Sequence, residues 1–211
     1  MFMNFANLEK TINDLVTRWE EKTSCEIVVA LLPESDLYPA APYRLAMIFG
    51  FFFYGLGLIF QLHYYHPHFL TALLIAGIAL GFLSGRLSKF KRFVLSDREI
   101  EEEVYQKALE TFFLENIHHT KKKNGILLYV SQLEKRIIIL ADKGLNDQVS
   151  QGTWDAIVQS LIPCLKENQF QLALEKGIEA IGMEAVKHFP TVDGCPDDGG
   201  NQLKNQLVTP K

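Results

Sequence analysis

Two apolar runs, Leu45–Leu62 and Phe69–Gly85, stand almost back to back in the first half of the chain. Neither contains a formal charge, and only His63–His68 separates them. A bilayer core of about 30 Å needs about 20 apolar residues at about 1.5 Å each. The runs hold 18 and 17 residues, and their flanks extend them. Arg86 follows the second and can snorkel toward headgroups. Tyr64 and Tyr65 suit an interface, and Pro67 suits a sharp reversal. A buried helix of a soluble core would need a polar stripe, and Phe49–Tyr54 has none. The competing reading is a pair of core helices or a surface hairpin. The sequence predicts a transmembrane helical hairpin over residues 44–87. The polar opening Met1–Glu9 does not read as a secretory signal.

Small residues recur along both runs. Gly77, Gly81 and Gly85 fall four apart on the second, and Ala46, Gly50 and Gly57 lie on the first. That spacing stacks them on one helix face and lets two backbones approach. The expectation is helix packing through Gly50, Gly57, Gly77, Gly81 and Gly85, with self-association through the same face as a second use. Arg44 precedes the hairpin and Arg86, Lys89, Lys91 and Arg92 follow it, whereas the loop carries no Lys or Arg. The positive-inside rule then places both termini in the cytoplasm and loop 63–68 outside. The same five basic residues form the expected membrane interface. His63, His66 and His68 read either as an exposed loop or as a metal-binding cluster.

Mean hydropathy is only +0.05, so the apolarity is concentrated in the hairpin. The net charge of −4 argues against nucleic acid as a partner. Cys25, Cys164 and Cys195 stand far apart, without metal-site spacing, and read as free thiols. Cys25 and Cys164 fit small core positions better than nucleophiles.

Residues Asn4–Lys22 repeat Leu8, Ile12, Leu15, Val16 and Trp19 at helical spacing. Cys25–Leu32 follows as a β-branched run suited to a fully buried strand. Beyond the hairpin, Ser96 and Glu99 have capping-box spacing ahead of a helix predicted through Ile117. One row on it is Ile100, Val104, Ala108 and Phe112; Tyr105, Leu109 and Phe113 lie beside it. Glu101–Glu103 fall in its early turns, where the helix dipole favours anions. Asn124-Gly125 reads as a turn. Ile126–Ser131 and Arg136–Asp142 are two strands joined by Gln132–Lys135. A helix starts near Ser150–Trp154, and Pro163 should kink or split it. A last helix covers Phe170–His188 and stops before Pro190. The tail 191–211 reads as extended and flexible, with Leu203, Leu207 and Val208 free to dock.

Strands interleaved with helices predict a layered α/β domain with a short mixed sheet. A two-stranded hairpin alone is marginal, so the strand before the membrane segment should join the later pair. One domain, residues 4–36 and 96–190, is then interrupted by the hairpin.

Trp19–Leu31 (WEEKTSCEIVVAL) resembles the helix–strand opening of the TPM-domain family. Asn124–Val158 is similar to that family's core, and Lys166–Gly182 to its closing helix. The inserted hairpin and the HFP…DGGNQLKNQLV ending resemble a bacterial membrane-anchored branch. The resemblance implies a three-layer α/β/α sandwich. It also implies roles in membrane-protein maintenance or accessory functions, calcium binding and acid phosphatase activity. The sequence departs from the family where its glycines and carboxylates cluster: Asp142 replaces a glycine, Asn146 an acidic residue, and Val149-Ser150-Gln151 an L-T-D triplet. Asp142, Asp147 and Asp155 remain as ligands for Ca²⁺ or Mg²⁺, although Asp142 and Asp147 equally suit turn and cap positions.

The function expected is a non-catalytic accessory or scaffold protein, anchored in a bacterial inner membrane and binding a membrane or cytoplasmic protein. Phosphate loops, HExxH and nucleophile motifs are absent from the sequence. Ser131, Ser150, His118 and His119 show no sequence sign of meeting. The alternative, a divalent-ion-dependent phosphatase-like hydrolase using Asp142 and Asp147, rests on the family resemblance. Two helices without an intramembrane charge do not suit a transporter.

Overall fold

The computed structural model describes residues 5–61, 64, 66, 68–191, 203 and 207–209. His63, Tyr65, Pro67, Cys195 and most of the tail lie outside the described residues. The chain divides into two compact units, Met1–Ser35 with Glu102–Lys211, and Asp36–Glu101.

In the first unit, helix α1 (Phe5–Glu20) buries Leu8, Ile12 and Val16, the row its spacing predicts. Strand β1 (Glu26–Leu32) is buried on both faces for six of its seven residues. It pairs in parallel with β2 (Gly125–Ser131), from Glu26 opposite Gly125 to Leu32 opposite Ser131. Strand β2 pairs antiparallel with β3 (Arg136–Ala141), giving the order β1-β2-β3. The short mixed sheet is thus built from both pieces of chain that flank the other unit. Ile27, Val29 and Leu31 of β1, Ile126, Leu128 and Val130 of β2, and Ile137 and Ile139 of β3 share one core. That core also holds residues of α1, α7 (Gln151–Lys166) and α8 (Phe170–His188). Val28, Leu127 and Tyr129, which alternate onto the opposite face, are buried as well. Helix α5 (Asp97–Leu114) runs there with Val104, Ala108 and Phe112 buried. The result is an α/β/α sandwich.

The structure differs locally from the sequence expectations. Helix α5 stops at Leu114, because Asn116 takes a left-handed φ of 55°. A 3₁₀ turn, Ile117–His119, then lays Ile117 over Gly125. A Cβ at Gly125 would stand 2.5 Å from the Ile117 carbonyl oxygen. Asn124-Gly125 is therefore no turn. Asn124 is buried, its amide nitrogen donates to the Ser24 carbonyl, and Gly125 begins β2. The reversal falls at Lys123, with φ 54°. Pro163 leaves α7 continuous. It sits in the last turn, where its missing N–H costs one hydrogen bond near the helix end. Part of the tail docks, too. The Val208 amide donates to the Val29 carbonyl at 2.9 Å, and the Leu31 amide to the Val208 carbonyl at 3.0 Å. Leu207 is 3 % exposed within the core.

The second unit is built on two helices, α2 (Ala41–Ile59) and α3 (Phe69–Ser84). A Cβ at Gly77 would stand 2.6 Å from the Phe49 carbonyl oxygen, and one at Gly50 2.8 Å from Ile78. Gly81 abuts Leu45 and Ala46, Gly85 abuts Pro42, and Gly57 abuts Leu70 and Leu73. The five glycines therefore form the seam of an antiparallel helix pair. That face is filled within the hairpin. Large side chains point away from it: Phe51 is 72 % exposed and Ile75 65 %. Helix α2 is long and apolar enough to cross a membrane. Helix α3 has 16 residues and reaches that length only together with α4 (Ser88–Val94), from which it is bent by 110°.

Candidate functional site

Strand β3 is the last strand of the sheet. Because Asp142 donates its amide to Gly125 at 2.9 Å and Gly125 opposes Asp142 in register, these two form a hydrogen-bonded pair. Alternation along an antiparallel ladder then turns the amides and carbonyls of Ile137, Ile139 and Ala141 away from β2. The Ala141 carbonyl is capped by Asn146 Nδ2 at 2.7 Å.

A cavity of about 610 Å³ runs along this edge. Tyr105, Leu109, Phe112 and Phe113 of α5 line one side, and Gln151, Trp154, Asp155 and Val158 of α7 the other. Ile137 to Ala141 form its length, with Asn146 at the Ala141 end. The volume is that of ligand pockets, about 300–1,000 Å³. Asp155 is its one charged lining residue, and its carboxylate accepts from Gln151 Nε2 at 3.1 Å. The Trp154 indole N–H is buried without a hydrogen-bond partner among the described residues. A buried, unmet donor costs free energy unless something accepts from it. The cavity thus offers apolar walls, one carboxylate and a length of open strand.

The aspartates read from the sequence as an ion site do not converge. Asp142 caps α6 (Lys143–Asn146), its Oδ1 accepting the Lys143 amide at 2.7 Å. Asp147 is exposed at the other end of that helix, and Asp155 lies in the cavity. Among the described residues no group of three His, Cys, Asp or Glu is placed to hold a metal. A hard cation takes six or more oxygens, so this donor set does not fit one.

A second polar cluster closes the opposite end of the sheet. Glu134, in the β2–β3 turn, is wholly buried. It accepts the Ser35 amide at 2.9 Å on Oε1 and the Ser131 hydroxyl on Oε2. Ser35 Oγ and Tyr129 Oη share a hydrogen bond of 3.0 Å. Burial pushes the Tyr129 phenol up to about 12. Ser131 has no access to solvent, which removes it as a nucleophile. Ser150 precedes α7 and bonds Thr153. His118 and His119 meet edge to face with ring centroids 4.2 Å apart, and Phe113 meets His118 edge-on at 4.9 Å. Cys25 and Cys164 are buried and free, and burial holds the Cys25 thiol at about 11, so it is no nucleophile at neutral pH.

Of the expected interface residues, Arg86 and Lys89 are exposed and Arg92 is partly so. Arg86 lies over the Phe82 ring at 4.9 Å. Lys91 is buried, which removes it from a headgroup-facing set. Arg44 pairs with Glu99 at 2.7 Å and donates to the Val94 carbonyl at 3.0 Å. Sequence reasoning missed the cavity and the Glu134 cluster. Tyr105, Leu109 and Phe113, flanking the buried row of α5, were the signal for the first. The Tyr129/Ser131/Glu134 spacing around a tight turn was the signal for the second.

The family model for the TPM phosphatase group, described as TPM domain, matches residues 91–184. The cavity lies inside that span, whereas α1 and β1 precede it. A solved structure, the NMR structure of the BA42 protein from the psychrophilic bacterium Bizionia argentinensis, resembles the whole chain. Its TM-score is 0.59 at 23 % identity, covering 100 % of this chain and 97 % of that one. At that identity the likeness bears on the fold. No curated protein matches the sequence.

Proposed function

With a TPM domain matched over residues 91–184 as premise, we infer that this chain is a membrane-tethered scaffold whose α/β/α domain binds a protein partner without catalysing a reaction. The observation that carries the tether is the hairpin's inside-out construction. Glycines fill its seam, while Phe51, Phe52, Ile59, Ile75 and Leu83 stand exposed. Water makes such a surface costly, and acyl chains solvate it. The basic flanks Arg44, Arg86, Lys89 and Arg92 favour, by the positive-inside rule, a domain on the cytoplasmic side, and the reading takes the membrane to be a bacterial inner membrane. A cysteine at Tyr64 should then react with an impermeant maleimide added to intact cells, and a cysteine at Glu179 should not. The reverse pattern would invert the topology. For the scaffold role, chemical crosslinking in membranes should trap a protein on the full chain; a domain that traps none has no such role.

A second reading, a phosphatase-like hydrolase, draws on the label of the matched family model. Since Asp142, Asp147 and Asp155 stand apart, no ion-dependent step follows from them. Turnover of a generic phosphomonoester by the purified chain, abolished in Asp142→Ala, would favour this reading over the scaffold.

A further inference from the structure

We propose that the open edge of β3 receives an extended segment of the partner protein as an added strand, with a basic side chain of that segment over Asp155. The inference rests on the scaffold reading and names the surface the scaffold uses. Three observations lead to it.

The first is backbone chemistry. Ile137 and Ile139 turn both main-chain groups outward, and among the described residues the next outward carbonyl, that of Ala141, is the one with a capping side chain. The spacing of outward groups along such an edge is what another strand matches, and main-chain hydrogen bonds supply affinity in strand addition. An exposed edge without blocking charge or proline is otherwise a liability. Residues Ile137–Ala141 contain neither.

The second is the groove itself. An added strand places alternate side chains on the two sides of the sheet. The cavity has an apolar wall on each: Tyr105 and Phe113 of α5, and Trp154 and Val158 of α7. With Asp155 the one charged lining residue, the groove complements a Lys or Arg and repels an acidic segment.

The third is the far edge of the same sheet. There the chain's own Val208 pairs in parallel with Ala30, and Leu207 enters the core. Among the described residues the β1 edge is thus already bridged in cis by the chain's own tail, and β3 is the opposite edge.

The test places a photo-crosslinking phenylalanine analogue at Tyr105, or at Glu179 on α8 as a control, in the full chain. Both are expressed in the organism that makes the protein and irradiated in its membranes. The expected result is an adduct from position 105 and none from 179, with the partner's crosslinked peptide carrying a basic residue. Ile139→Pro deletes one outward amide and spares the β2 ladder, since proline is tolerated where the N–H faces away. It should cut adduct yield about tenfold, the worth of one well-made hydrogen bond. Asp155→Lys, an exposed change that leaves the fold intact by circular dichroism, should cut it comparably and covers the case in which Ile139→Pro does not fold. No adduct at 105, an adduct to a second copy of this chain, or a yield indifferent to Asp155→Lys would overturn the proposal. If partners are still trapped by general crosslinking in those cases, the scaffold reading survives without this surface; if none are, both fall.

Discussion

Glu134 accepts the backbone amide of Ser35 at 2.9 Å across 99 residues of sequence. Its other oxygen takes the Ser131 hydroxyl, so a carboxylate with no solvent contact is met on both sides. The bond pins the exit of β1 to the β2–β3 turn. Two backbone bonds, Gln132 to Leu32 and Leu133 to Pro33, both 2.9 Å, reinforce it. Glu134→Ala strands the Ser35 amide and the Ser131 hydroxyl in the interior, and should destabilise the domain by about 2–5 kcal/mol. Glu134→Gln keeps the volume and the acceptor facing Ser35, while the Ser131 hydroxyl can rotate to accept from the new amide. It should cost about 1 kcal/mol. Denaturant melts of the two variants separate a hydrogen-bonding role from packing.

The hairpin seam yields a matched pair of substitutions. At Gly81 an added Cβ meets the backbone of Leu45 and Ala46, whereas at Gly55 it meets nothing within 4 Å. Gly81→Val should force α2 and α3 apart, and Gly55→Val should leave them in place. Cysteines at Tyr43 and Phe82, whose rings meet across the helix pair at 5.5 Å, report the difference through the yield with a short bifunctional thiol crosslinker in detergent. Equal yields in both backgrounds would mean that the seam does not hold the helices together.

What the sequence made legible follows from local rules. The helical rows of α1 and α5 and the glycine seam are periodicities of 3.6 and 4, and β1 is an unbroken apolar run of strand length, all readable without tertiary knowledge. The capping box was half legible: the Glu99 amide donates to Ser96 Oγ at 3.2 Å, but the Glu99 carboxylate turns to Arg44 instead of back to Ser96. Long-range competition of that kind is invisible in a window of four residues. The same limit hid Glu134, a turn residue buried by a segment 99 positions away, and Asn124, which spends its amide on Ser24. The aspartates looked like a cluster because they are near in sequence. Capping takes Asp142, and α7 carries Asp155 to the cavity.

That separation fixes the expected response to metal. Calcium or magnesium at millimolar concentration should leave the melting temperature of the purified chain unchanged. Asp142→Ala should lower stability by about 0.5–2 kcal/mol through loss of the α6 cap, equally with and without the ion. An ion-dependent stabilisation that Asp142→Ala removes would restore the ion site.

Alkaline pH should destabilise the domain through two buried groups. The Cys25 thiol rises from 9.0 to about 11 and the Tyr129 phenol from 10.0 to about 12, each chiefly by burial. Above its unfolded value each group loses its proton in the unfolded chain while the folded chain retains it. The unfolded state is then the one favoured by rising pH. Stability is therefore full below pH 9, falls from about pH 9 as Cys25 contributes, and steepens above about pH 10 as Tyr129 joins. A shift of two pKa units corresponds to at most about 2.7 kcal/mol for each group. Cys25→Ala should remove the first limb and Tyr129→Phe the second, in urea melts recorded across that range. Glu184 contributes on the acid side with the opposite sign: hydrogen bonding to Lys187 holds its carboxyl low, so its contribution is present above the ordinary carboxylate range and lost as pH falls through the lowered value. Because Lys187 is 66 % exposed, solvent screens that pair, and the alkaline limb should be the larger of the two.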